Sequence, residues 1–154
     1  MERILVSSCL LGQPVRYDGG GKRRDDPLFD RWRAEGRLVP CCPEVAGGLQ
    51  VPRPAAERTG RFVIAEDGSD VTPFFVEGAR LALEVARRHG LRIAILKDGS
   101  PSCGSSRIYD GSFTGRSVPG RGVTAELLIR SGVAVFAEDE LDAVQAHLSL
   151  LEGE

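Results

Sequence analysis

Ile93-Ala94-Ile95-Leu96, set between His89-Gly90 and Lys97-Asp98-Gly99, is the most apolar strand-like run in the chain, and its reading decides the fold. A continuous run without alternation belongs to a strand buried on both faces, which places it centrally in a sheet covered on each side by helices. Immediately upstream, Phe74, Phe75, Ala79, Leu81, Ala82, Val85 and Ala86 recur at helical spacing from Thr72-Pro73 until His89-Gly90 closes the helix. Downstream, Gly99 to Gly122 reads as loop, Thr124 to Ser131 as helix and Val133 to Phe136 as strand. Leu141 to Leu151 forms an amphipathic helix with Leu141, Val144, Leu148 and Leu151 inward.

The same alternation begins the chain. Arg3-Ile4-Leu5-Val6-Ser7 predicts a short buried strand, and Cys9 to Lys22, punctuated by Gly and Pro, a loop. Asp26-Pro27 offers an N-cap and first-turn proline for a helix through Phe29, Trp32 and Arg33 to Gly36, and Leu38-Val39-Pro40 is a second strand. An irregular stretch runs from Cys42 to about Arg61. Phe62-Val63-Ile64-Ala65, the turn pair Asp67-Gly68 and Asp70-Val71-Thr72 then predict a small hairpin. Strands alternating with helices imply right-handed βαβ crossovers. The fold class is α/β, a Rossmann-like three-layer sandwich with a mostly parallel sheet and a small β-hairpin insertion. The loop after the first strand has no G-x-G-x-x-G, so NAD is not expected.

A chain of 154 residues, 42% hydrophobic and 27% charged, fits one globular domain over 1–154. Its net charge of −2 gives no basic footprint for a long nucleic acid, although a free base or nucleoside suits it. The longest apolar runs fall far short of the roughly 20 residues that span a bilayer, so no membrane partner is expected. Val6-Ser7-Ser8-Cys9 looks like the end of a lipoprotein signal, but too few apolar residues precede it. A cytoplasmic, reducing setting follows, in which thiols more often serve metals or catalysis than structural disulfides.

All four cysteines follow predicted strands: Cys9 the first, Cys41 and Cys42 the second, and Cys103 the Ile93 to Leu96 strand. In open parallel sheets ligands bind beyond the carboxyl ends of the strands, so three loops bring these thiols to one edge. No C-x-x-C pair is present, which argues against a closed structural zinc site. Three converging thiolates suit a catalytic zinc with an open position or an iron–sulfur cluster with a free iron. Buried apolar cysteines are the plain alternative. The Gly- and Pro-rich loops around them, with Ser100, Ser102, Ser105, Ser106, Glu44 and Tyr17, favour a metal site.

Cys9-Leu10-Leu11-Gly12, Arg16-Tyr17-Asp18-Gly19, Cys42-Pro43-Glu44 with Gly47-Gly48-Leu49 and Pro52-Arg53, and Lys97-Asp98-Gly99-Ser100-Pro101-Ser102-Cys103-Gly104 occur in this order. The pattern resembles the thiouracil desulfurases over nearly the whole chain. The resemblance implies a [4Fe-4S] cluster held by Cys9, Cys42 and Cys103, with one open iron for the sulfur of a thio-nucleobase or thionucleoside. Cys42 is preferred to Cys41 because Pro-Glu follows it, and because neighbouring side chains on an extended chain diverge. Where the family often carries a further cysteine, this chain has Val15.

On this basis Glu44, two residues after a ligand cysteine, is the expected general base for water attacking the thiocarbonyl carbon. Ser100 is the expected hydrogen-bonding or proton-steering group, with Ser102 second to it and a turn role as the alternative for either. The expected reaction converts the thiocarbonyl to a carbonyl and releases hydrosulfide without net redox. A non-catalytic iron–sulfur or zinc module and a zinc-dependent hydrolase are the competing functions.

Arg16, Arg53 and Lys97 are placed to offset cluster charge and stay outside the catalytic set. Gly19-Gly20-Gly21-Lys22 lacks the spacing of a nucleoside-triphosphate loop. Gly120-Arg121-Gly122, ahead of a helix, is a candidate anion cradle. His89, His147 and Trp32 are read as helix-end and packing residues.

Overall fold

A computed structural model of the chain describes residues 1–21 and 25–153. In chain order its elements are β1 (Ile4–Ser7), a 3-10 turn (Ser8–Leu11), α1 (Pro27–Ala34), β2 (Leu38–Cys41), α2 (Pro43–Ala46), β3 (Ala56–Thr59) and β4 (Phe62–Ala65). They continue as α3 (Thr72–Arg88), β5 (Ile93–Leu96), β6 (Arg107–Tyr109), β7 (Ser117–Pro119), α4 (Val123–Arg130), β8 (Ala134–Ala137) and α5 (Leu141–Leu151).

The main sheet has the order β2-β1-β5-β8, and every neighbouring pair is parallel. Ile4, Leu5 and Val6 stand opposite Ile93, Ala94 and Ile95. Because successive side chains on a strand face opposite ways, these two strands feed two cores. Ile4, Val6, Ile93 and Ile95 pack with Phe29, Trp32, Val144 and Leu148 of α1 and α5. Leu5, Ala94 and Leu96 pack with Leu83, Ala86 and Leu128 of α3 and α4. The uninterrupted apolar runs thus reflect burial on both faces, as their sequence implies.

Local chemistry sets the element ends. The Asp26 carboxylate accepts from Leu28 N at 2.8 Å, capping α1 with Pro27 in its first turn. Trp32 is buried in the core, and its indole N–H donates to the Gln145 side chain at 3.2 Å. Gly90, at φ 63°, turns the chain out of α3 in a conformation that a side chain would resist.

Three segments differ from their sequence reading. The stretch after Cys42 contains α2 and then β3, and β4 pairs antiparallel with β3. The expected partner of β4, residues 70–72, contributes a single bridge from Asp70 to Ile64. Gly99 to Gly122 is not plain loop, since it holds the antiparallel pair β6–β7. These elements are three or four residues long, too short to carry a readable period. Among the described residues no helix is long and apolar enough to cross a membrane. Of the Gly19 to Lys22 motif, Lys22 lies outside the described residues, as does the neighbouring Arg23.

Candidate active site

β1, β2 and β5 all point their carboxyl ends at one cavity of about 430 Å³. Cys9, Cys41, Cys42 and Cys103 line it, together with Glu44 and Ser100, and all four thiols are free. The sheet brings them together because each lies at the end of a strand or in the segment just beyond one.

Cys9 sits in the 3-10 turn directly after β1 and is buried. Burial pushes its thiol up to about 11, nearby Cys42 adds to this, and Arg16 and Lys97 pull the other way. Cys42 is the residue before α2, and its Sγ donates weakly to the Val15 carbonyl at 3.9 Å. Burial raises its pKa, opposed by the backbone N–H groups of Val45 and Glu44 and by Arg53. Cys103 is buried and raised by desolvation, with a hydrogen bond from the Ser7 side chain opposing. Desolvation penalises the bare thiolates, so these thiols stay protonated until a cation replaces the protons.

Cys41 also reaches the cavity wall, so the expected divergence of the two adjacent side chains does not keep it out. It differs from Cys42 in packing. Cys41 lies against the core cluster of Leu5, Leu96 and Cys103, and burial pushes its thiol up to about 12.

Glu44 occupies the first turn of α2, with its side chain 19% exposed. Burial raises its pKa and the Arg53 guanidinium opposes that, its Nη2 lying 3.5 Å from Oε1. Arg53, only 6% exposed, also reaches the Val15 carbonyl with Nη2 at 3.0 Å and the Gln50 carbonyl with Nη1 at 2.9 Å. A half-read cation of the Pro52-Arg53 pair is therefore the buried partner of the carboxylate. Its chemistry was visible in the sequence, but its burial was not.

Ser100 lines the cavity, and its Oγ accepts from Ser102 N at 3.1 Å and Cys103 N at 3.0 Å. The turn role and the site position are thus combined, and the hydroxyl hydrogen is still available to donate. Ser102 is fully buried and hydrogen-bonds Thr124 Oγ1 at 2.8 Å, which makes it a structural residue.

The first N–H groups of α4 are consumed by the same loop. Gly122 N, Val123 N and Thr124 N donate to the carbonyls of Gly104, Pro101 and Ser102. A Cβ at Gly122 would lie 2.4 Å from the Ser102 carbonyl oxygen. Gly120-Arg121-Gly122 therefore holds the Cys103 loop and is not an anion cradle. His89 hydrogen-bonds Arg3 at the end of α3, and His147 lies against Phe136, both away from the cavity.

Among the described residues no three His, Cys, Asp or Glu side chains are arranged around a single metal ion. A multinuclear cluster takes each thiolate on a different iron and needs its ligands farther apart than one ion does. The outer wall, which the sequence left blank, comes from the two hairpins. Ala56 and Glu57 of β3, Tyr109 of β6 and Phe113 beyond it line the cavity.

A parallel α/β sheet whose strand ends deliver four thiols and a buried carboxylate to one cavity defines a protein with a cysteine-lined cofactor or catalytic centre. The chain belongs to the 2-thiouracil desulfurase family, whose model matches residues 4–140. It is similar to a solved structure named as the [4Fe-4S]-dependent thiouracil desulfidase TudS. The two are 55% identical, the match covers 97% of this chain and 99% of that one, and the TM-score is 0.96. It is also 39% identical over 153 residues to the uncharacterized protein YbbK of Bacillus subtilis (strain 168), covering 92% of this chain and 99% of that protein.

Proposed function

We propose that this protein hydrolyses the thiocarbonyl of 2- or 4-thiouracil, or of a related thionucleoside, to a carbonyl, at a [4Fe-4S] cluster held by Cys9, Cys42 and Cys103 with one iron open to substrate. The carrying observation is the convergence of these thiols with Glu44 and Ser100 on one cavity, in a chain 55% identical to a [4Fe-4S]-dependent thiouracil desulfidase.

The residues suit such a group. Three thiols from three separate segments face a single volume of about 430 Å³, and Arg16 and Lys97 line the same space as counter-charges to a thiolate cluster. When bound, the cluster supplies a soft Lewis-acidic iron that suits thione sulfur.

The chain's own groups manage water and protons. Arg53 engages Oε1 of Glu44, so Oε2 takes the proton from the water that attacks the ring carbon. Ser100, its oxygen already accepting two N–H groups, donates its hydroxyl hydrogen to the base and orients it. Thione plus water gives carbonyl plus hydrosulfide, with no electron gained or lost. The free cysteines support a reducing, cytoplasmic setting for this chemistry.

The test is anaerobic purification with iron, acid-labile sulfide and visible absorption measured first. 2- or 4-Thiouracil is then added while its near-ultraviolet band, uracil and sulfide are followed. Uracil and sulfide appearing in equal amounts is the expected result. A cluster-loaded protein that leaves both thiouracils and their nucleosides unchanged overturns the proposal, as does a protein that takes up no iron after anaerobic reconstitution.

A further inference from the structure

Phe113 is the one non-glycine among the described residues with positive φ, at 57°. A bulky side chain is poorly accommodated in this left-handed region, and such residues persist only where their surroundings hold them. Glu57 does the holding. Its Oε1 accepts from Gly111 N at 2.9 Å and Phe113 N at 3.2 Å, tying the loop between β6 and β7 to β3. Gly111 is seated so closely on β3 that an added Cβ would lie 2.0 Å from Thr59 Oγ1.

Nothing in the turn itself calls for an aromatic residue. Glycine takes this backbone conformation without cost, and Gly111 and Gly115, both at positive φ, already serve the same loop. Nor does packing call for it, since Phe113 belongs to neither core cluster. Of the other two rings on the wall, Tyr109 is exposed to solvent and Tyr17 lies against the Arg16 guanidinium. What Phe113 does contact is the cavity, where it lines the wall together with Tyr17, Tyr109, the thiols and the carboxylates.

We propose that Phe113 is the specificity-determining residue of the site: its ring, carried on a backbone that Glu57 holds, stacks on the plane of the heteroaromatic substrate and selects flat ring thiones over acyclic thiocarbonyls. The proposal rests on the desulfurase reading above. A π-face is what a planar base offers regardless of its substituents, and an aromatic ring with no other duty is the matching surface.

The test uses anaerobic, cluster-loaded protein and the variants Phe113→Gly and Phe113→Trp. Steady-state kinetics with 2- or 4-thiouracil are paired with equilibrium dialysis of uracil, the product. Phe113→Gly should raise KM and weaken uracil binding by roughly ten- to a hundredfold, with kcat, iron content and visible spectrum unchanged. Phe113→Trp should stay close to wild type, and thermal stability of Phe113→Gly should be equal or higher because the strained backbone is relieved. Wild-type turnover with an unchanged KM and uracil affinity in Phe113→Gly overturns the role of Phe113 and leaves the desulfurase reading intact. A cluster-loaded wild type that neither turns over thiouracil nor binds uracil overturns both.

Discussion

The Arg53 guanidinium lies 3.5 Å from the Glu44 carboxylate and is almost completely withdrawn from solvent, so the cavity's carboxylate carries its own buried counter-ion. The same guanidinium bonds the Val15 carbonyl, and Arg53 N donates to the Tyr17 carbonyl at 2.7 Å. One residue thus joins the segment after β1 to the helix after β2.

Removing one partner of a buried pair leaves the other charge uncompensated, at a cost of about 3–5 kcal/mol. Arg53→Met should lower the stability of the cluster-free protein by about that much in urea unfolding. Arg53→Lys should recover only part of it, because a single ammonium cannot span the carboxylate and two carbonyls as the planar fork does. Equal stability of Arg53→Met and wild type would refute the argument.

The two adjacent cysteines should behave differently. Cys41, at the end of β2, is half-buried and packs against the core cluster while also reaching the cavity, whereas Cys42 precedes α2 next to Glu44. Cys42→Ser should lose the cluster, seen as loss of iron, acid-labile sulfide and visible absorption. Cys41→Ser should retain all three. The reverse pattern would move the ligand role to Cys41.

Helix α2 is held by contact with α3 at two glycines. A Cβ on Gly78 would stand 2.1 Å from the Pro43 carbonyl oxygen, and one on Gly47 equally close to that of Phe74. Gly78→Ala should therefore push α2 away, costing about 1–3 kcal/mol of stability and displacing Glu44. Activity should fall more than cluster content. A variant with wild-type kcat and thermal midpoint would show that α2 tolerates the shift.

Asp98 organises the loop that carries Ser100 and Cys103. Its Oδ1 accepts from Ser105 N, Ser106 N and Arg107 N, and its Oδ2 from Ser106 Oγ at 2.8 Å. Burial pushes its pKa up, but these bonds outweigh that and hold it below the usual carboxylate range. A carboxyl depressed by folding contributes stability above its unfolded pKa of about 3.9 and loses it as pH falls through the folded value. Asp98→Asn should thus be less stable than wild type at neutral pH, by about 1–2 kcal/mol for the weakened charged hydrogen bonds. The gap should close below about pH 4. A gap independent of pH from 7 to 3 would assign the loss to packing instead.

Much of the architecture was legible because its residues state their environment locally. Ile93 to Leu96 and Ile4 to Val6 are apolar at every position because both faces are covered. The Asp26-Pro27 cap and the spacing of Leu141, Val144 and Leu148 mark α1 and α5 within a turn or two of chain. β3, with the polar sequence Ala56-Glu57-Arg58-Thr59, carries no such mark and is a strand only because β4 pairs with it.

From its sequence alone, this protein was determined as a parallel α/β chain with thiols after its first, second and Ile93 to Leu96 strands. Hydrophobic runs and strand-end positions are properties of short, contiguous stretches. The tertiary structure alone decided that Arg53 is the buried partner of Glu44, that Ser102 serves Thr124 and not the cavity, and that Glu57 holds Phe113 in the wall. Each is a pairing between segments brought together by folding, and desolvation, which sets how such charges and hydrogen bonds behave, exists only once the chain has closed around them.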